Sequence, residues 1–271
     1  RFISKCRSVF REIAKVARRW SSKSLRANFS LLRCAVFVNI KSKKVAQKLS
    51  FLRNFATFFH QKLTMHTRGA FIVLEGCDRS GKSTQAQKLV DKLQKNGVDA
   101  KLIKFPDRDT ECGKLIDEYL RQKKPLTDEG IHLLFSTNRW EAKNSIEESL
   151  MKGTTLICDR YSYSGVAFSV AKGMSLQWCK APEEGLTKPD LVFLLTLPIE
   201  KIMQRGGFGG ERYEKKQMQQ EVIKIYELLK EDYWLEIDAD QTQEALLDVL
   251  YNNSLEVIRK VGGKPLEYLW T

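Results

Sequence analysis

Ala70-Phe71-Ile72-Val73-Leu74-Glu75 runs directly into Gly76-Cys77-Asp78-Arg79-Ser80-Gly81-Lys82-Ser83-Thr84, and the fold is read outward from that junction. The first six residues are a short, apolar, β-rich run. The next nine have the spacing GxxxxGK[ST]. Beyond them Ala86, Leu89, Val90 and Leu93 recur along one face of a helix that closes at Gly97, which completes the strand, loop and helix order this motif requires. Glycines let backbone N–H groups approach phosphate oxygens, and the start of the helix adds its dipole. Lys82 can then reach β and γ phosphates, and the Ser83 hydroxyl suits Mg²⁺. The junction implies a nucleoside triphosphate site rather than a ligand-free turn.

Four further runs repeat the rhythm: 100–104, 154–158, 191–197 and 234–237, each separated by helical patterns. Nearly continuous apolar strands alternating with helices predict an α/β protein in three layers, a five-stranded parallel sheet with helices on both faces. Ligands on such sheets collect at the carboxyl ends of the strands, so the residues just after each run carry the chemistry. Phe105-Pro106-Asp107-Arg108 follows the second run, and Asp159-Arg160-Tyr161 follows the third. Asp159 stands where a carboxylate would hold Mg²⁺ directly or through water. Arg108 and Arg160 offer planar forks for a second phosphate.

Residues 128–151 have helical spacing and place Phe135 and Arg139 four apart, on one face. An aromatic ring beside a cation there suits either base recognition or a core position. Further on, Arg205-Gly206-Gly207-Phe208-Gly209-Gly210-Glu211-Arg212-Tyr213-Glu214 sets four glycines among charges. Such a segment cannot be a stable helix or strand; it reads as a lid closing over phosphates or as a surface loop.

Charge divides the chain at the same place as structure. Residues 1–68 hold 17 Lys and Arg and a single acid, Glu12, whereas the remainder is net acidic, so the formal charge of +13 belongs to an extension. All 16 glycines and all 6 prolines fall at Gly69 or later. The chain is therefore divided into a basic extension, residues 1–67, and a domain spanning 68–271. In the extension Phe2, Cys6, Val9, Ile13, Val16 and Trp20 would form the apolar stripe of a cationic helix. Its Ser content and lack of acid fit an organelle transit segment; sequence lying upstream of a start at Met65 and a loose nucleic-acid-binding tail are the other readings. The six cysteines form no CxxC pair and the three histidines no zinc spacing, which points to buried thiols in a reducing, intracellular setting. No apolar run approaches the roughly 18 residues a membrane span needs.

Residues 68–271 resemble the eukaryotic thymidylate kinases along essentially their whole length. The resemblance is carried by RGAFIVLEGCDRSGKST, FPDR, HLLFSTNRWE, DRYSYSGVAF, LTKPDLVFLLTL, RGGFGGERYE and the closing KPLEYLW. It implies the P-loop NTPase fold with a short lid, transfer of the γ-phosphoryl of ATP to dTMP, Mg²⁺ as cofactor and a homodimer. It places Gly76, Asp78, Arg79, Ser80, Gly81, Lys82, Ser83, Thr84 and Arg205 at ATP, with Ser83 and Asp159 at the metal. It assigns Asp78, Phe105, Arg108, Phe135, Arg139, Arg160, Ser164, Gly165, Phe168 and Tyr213 to dTMP. In that scheme Arg108 and Arg160 take its phosphate, Phe135 stacks on thymine and Arg139 donates to O4, while Arg79, Lys82, Asp159 and Arg205 do the catalytic work. The domain would serve cytoplasm and nucleus, and the mitochondrion if the extension is present. Two departures stand out: a shorter stretch over 169–175, and glycines at 207 and 210 where bulkier residues are common. A UMP, CMP or AMP kinase and a non-catalytic ATP-binding module share the phosphate loop and are the competing readings.

Overall fold

The computed structural model describes residues 68–204 and 210–271. The expected cationic helix, Cys6, Cys34, and Arg205 with the first half of the glycine-rich segment lie outside the described residues.

Five strands form, as the apolar runs predict: β1 (Phe71–Gly76), β2 (Ala100–Lys104), β3 (Thr155–Asp159), β4 (Leu191–Thr196) and β5 (Trp234–Asp238). They make one parallel sheet in the order β2-β3-β1-β4-β5. β1 is fully buried because both of its faces are covered. Phe71 and Val73 enter one apolar layer, while Ala70, Ile72 and Leu74 enter the other, following the two-residue period of a strand. Helices α1 (Lys82–Lys95) and α8 (Gln243–Val261) cover the second face through Ala86, Leu89, Leu93, Leu246 and Leu250. Helices α3 (Asp128–Met151), α4 (Ser162–Val170) and α7 (Lys216–Leu229) cover the first through Ile146, Leu150, Val166, Val222 and Tyr226. The shorter helices α2 (Glu111–Leu120), α5 (Leu176–Lys180) and α6 (Ile199–Gln204) lie in the connections.

The connections set the site. From β1 the chain crosses to β2, returns to β3 beside β1, then passes to β4 on β1's other side, so the direction of winding reverses around β1. In register, Asp159 of β3 pairs with Leu74 and with Lys104, and Gly76 pairs with Leu195. The carboxyl ends of β1, β2 and β3 therefore finish at one edge. Cys77, Cys112, Cys158 and Cys179 are buried free thiols, as composition implied. Among the described residues no helix is long and apolar enough to cross a membrane.

Candidate active site

Backbone shape builds the loop after β1. Gly76 has φ 138°, and a Cβ there would lie 2.4 Å from the Leu195 carbonyl, so no other residue fits. Gly81 (φ 100°) opens α1 without a side-chain cap, so no side chain competes for the first-turn N–H groups of that helix. The ammonium of Lys82 is buried and donates to the Cys77 carbonyl at 2.5 Å and to Ser80 Oγ at 3.2 Å. Burial, aided by the nearby Arg160 charge, pushes its pKa down to about 8 against the pull of Asp159 and Asp78. Arg79 (φ 63°) donates from Nε to Glu214 at 2.9 Å, tying the loop to the far end of the glycine-rich segment. Thr84 is exposed on the first turn of α1.

At the end of this loop Ser83 Oγ donates to Asp159 Oδ2 of β3 at 2.5 Å, while Asp159 Oδ1 is buried with no hydrogen-bond partner. A hydroxyl and an orphaned carboxylate oxygen are hard donors of the type Mg²⁺ accepts. Among the described residues no group of three or more His, Cys, Asp or Glu could hold a metal, so these two fit an ion that arrives with nucleotide rather than a closed protein cage.

Arg160 takes the strained left-handed backbone conformation, φ 68°, immediately after β3. That turn lets its guanidinium donate to the Gly76 carbonyl at 3.3 Å and Ser164 Oγ at 3.1 Å, and pair with Asp78. Burial is the largest single influence and works against its charge, but Asp78, Tyr226, Asp159 and Glu75 together outweigh it and raise the pKa further. Arg108 sits between Asp117 at 2.5 Å and Glu211 at 2.8 Å. Its turn is held by Asn138, whose amide group bonds both the N–H (2.7 Å) and the carbonyl (3.1 Å) of Asp107. α2 begins tightly against the same turn, because a Cβ at Gly113 would meet the Asp107 carbonyl at 1.7 Å.

A cavity of about 430 Å³ joins these groups, within the range of small-molecule sites. Its walls include Asp78, Ser83, Phe105, Arg108, Phe135, Arg139, Asp159, Arg160, Ser164, Gly165, Phe168 and Tyr213, so every expected acceptor-site residue and both expected metal ligands face one space. Phe135 and Arg139 share the face that their spacing predicts. The Tyr213 ring lies 5.6 Å from that of Phe168, and its hydroxyl donates to Tyr119 at 3.2 Å.

Three residues of this site escape sequence reasoning. Glu75, at the end of an apolar strand, is wholly buried and accepts from the Tyr161 N–H (2.9 Å), the Ser164 N–H (3.1 Å), Ser164 Oγ (2.5 Å) and the Tyr226 hydroxyl (3.0 Å). Burial raises its pKa despite those bonds. Gln219 of α7 donates to Asp78 Oδ2 (2.7 Å) and the Tyr213 carbonyl (2.9 Å) and accepts from the Asp78 N–H (2.9 Å). Glu183 forms a buried two-pronged pair with Arg139. A carboxylate inside a strand that is otherwise apolar was the available signal for Glu75, because a buried charge needs partners. Nothing local marked the other two.

A phosphate-binding loop and a second arginine-lined pocket meeting at the reversal point of a parallel sheet define a P-loop phosphotransferase that brings two phosphorylated ligands together. The thymidylate kinase family model matches residues 74–249. A thymidylate kinase of Arabidopsis thaliana is 47% identical over 219 residues, 80% of this chain and 83% of the relative. One of Homo sapiens is 47% identical over 207 residues, 75% and 98% of the two chains. A solved thymidylate kinase from Candida albicans superposes with TM-score 0.68 at 38% identity, covering 74% of this chain and 98% of that one. The chain belongs to the thymidylate kinase family.

Proposed function

We propose that the chain transfers the γ-phosphoryl of ATP to dTMP, giving dTDP and ADP, with the cavity residues as the acceptor site and residues 76–84 as the donor site. The observation that carries the assignment is the Asp78–Arg160 pair, which ties the loop to the cavity that Phe135 and Arg139 also line. The acceptor phosphate has a second pKa of about 6, so its oxygen is already ionised at neutral pH and needs no strong base. Positioning and charge then do the work. Lys82 and Arg79 neutralise the donor phosphates. Arg108 and Arg160 hold the acceptor phosphate, exchanging carboxylate partners for it. Ser83 and Asp159 would hold Mg²⁺, which would supply neutralisation of phosphate charge when bound. Arg205 and the segment through Tyr213 close over both nucleotides. Phe135 stacks on the base and Arg139 donates to its O4, which accepts thymine and leaves the amino group of cytosine, itself a donor, facing a donor.

The domain is read as 68–271 behind a basic extension whose composition suits an organelle address; without that address the domain would act in cytoplasm and nucleus. Exposed Leu133 and Trp140 on α3, with Trp178 nearby, support a homodimer, which sedimentation would detect. A coupled ADP-release assay tests the reaction itself: ADP should appear with dTMP, ATP and Mg²⁺ together, and disappear in Lys82→Ala. ATP binding without dTMP-dependent turnover would leave only the binding-module reading.

A further inference from the structure

Arg139 reaches the cavity from a wall with no solvent behind it, and its counter-ion comes from a short turn 44 residues further on. Residues Ala181–Glu183 form a single 3₁₀ turn with Pro182 inside it. α3 bolts that turn down at two points: Ser136 Oγ and Trp140 Nε1 both donate to the Pro182 carbonyl at 2.8 Å. Ser136, Arg139 and Trp140 are three and four apart on one face, so one stripe of α3 carries all three contacts. Beyond the turn, the closing segment of the chain adds a clamp, with Gly185 and Leu269 N–H groups bonding the Leu269 and Leu186 carbonyls.

The turn delivers the Glu183 carboxylate, wholly buried, to Arg139. Oε2 accepts from Arg139 Nε and from Ser162 Oγ, each at 2.8 Å, while Oε1 accepts from Nη2. On the opposite side the missing Cβ of Gly165 leaves room for the guanidinium. With Nε and one Nη2 proton engaged, Nη1 and the second Nη2 proton remain for the cavity. The pair is also nearly neutral as a unit, so this end of the pocket offers oriented donors rather than a net positive charge.

We propose that Glu183 is a positioning residue for acceptor choice: it fixes the angle of the Arg139 fork and cancels its charge, so that the pocket takes an uncharged base with a carbonyl at position 4. The proposal rests on the reading of Arg139 as the base-recognising donor.

In Glu183→Gln the carboxylate is gone and the fork loses its fixed partner. The kcat/KM preference for dTMP over dCMP should fall by about 10-fold or more, chiefly through a higher KM for dTMP. Glu183→Asp keeps the charge and should recover most of the preference. Because a lone buried cation can unfold a protein, Ser162→Ala provides a charge-neutral arm; removing one bond to Glu183 should lower the preference by about 2- to 5-fold. Arg139→Met separates the role of Glu183 from that of Arg139. If Arg139→Met abolishes the preference while Ser162→Ala and a folded Glu183→Gln retain it in full, Glu183 does not position the fork and the proposal fails. If Arg139→Met itself retains the preference, the base reading fails and takes the proposal with it.

Discussion

Gly165→Ala sets helix chemistry against site geometry. Gly165 lies in the middle of α4, where alanine gains about 1 kcal/mol of intrinsic helix propensity. A Cβ built there falls 2.5 Å from Arg139 Nη2, 3.1 Å from Cζ and 3.2 Å from Nη1, whereas ordinary contact begins at 3.4 Å. The closest atom must therefore retreat by about 0.9 Å. It has little freedom to do so, because the Arg139 side chain is 2% exposed and its partner Glu183 is wholly buried. A misplacement near 1 Å in a binding group costs on the order of 10²-fold. Steady-state kinetics with each nucleotide varied in turn should show KM for dTMP rising by about 10²-fold while KM for ATP moves by less than about 3-fold. Thermal melting should show a folded protein, since the helix gain offsets part of the clash. A KM for dTMP within about 2-fold of the parent would refute the claim that Arg139 is held rigidly against the substrate pocket.

Other perturbations address separate parts of the site. Asp159→Asn keeps an acceptor for Ser83 but removes the charge meant for the metal, so kcat should fall by at least about 10²-fold and the Mg²⁺ needed for half-maximal rate should rise. Gln219→Ala releases both the N–H and the carboxylate of Asp78, and through Asp78 the Arg160 fork; KM for dTMP should rise by about 10-fold with melting temperature little changed. His132 is buried and neutral, its Nε2–H donating to the Cys179 carbonyl and Nδ1 accepting from Ser169, and burial lowers its pKa. The unfolded chain takes up that proton first, so this contribution is present above the unfolded value near ~6.5 and is lost as pH falls toward the lower folded value. Urea unfolding between pH 7.5 and 5 should show this decline, and His132→Gln should flatten it.

The sheet was legible because its causes are local. β1, β3 and β4 are apolar along most of their length, since both their faces are covered, and the Gly76 to Thr84 loop needs its residues in one contiguous order. Phe135 and Arg139 were legible as a pair because helical spacing alone puts them on one face. The partners that hold these residues were not, since each comes from a distant element: Glu183 is 44 residues from Arg139, Gln219 is 141 from Asp78, and Tyr226 is 151 from Glu75. They meet only in the folded chain, where α3 holds the Ala181–Glu183 turn and α7 packs over the end of β1. The left-handed backbone at Arg160 is equally invisible in a sequence, because it is imposed by the turn out of β3 and by the Asp78 pairing rather than by residue type.

The proposed acceptor pocket is matched to a base with a carbonyl at position 4. Measuring kcat/KM for dTMP, dUMP and dCMP with ATP and Mg²⁺ held saturating tests it most directly. Thymidylate and dUMP should both be phosphorylated, with dCMP slower by at least about 10²-fold. Phosphorylation of dCMP at a rate comparable with dTMP would contradict it.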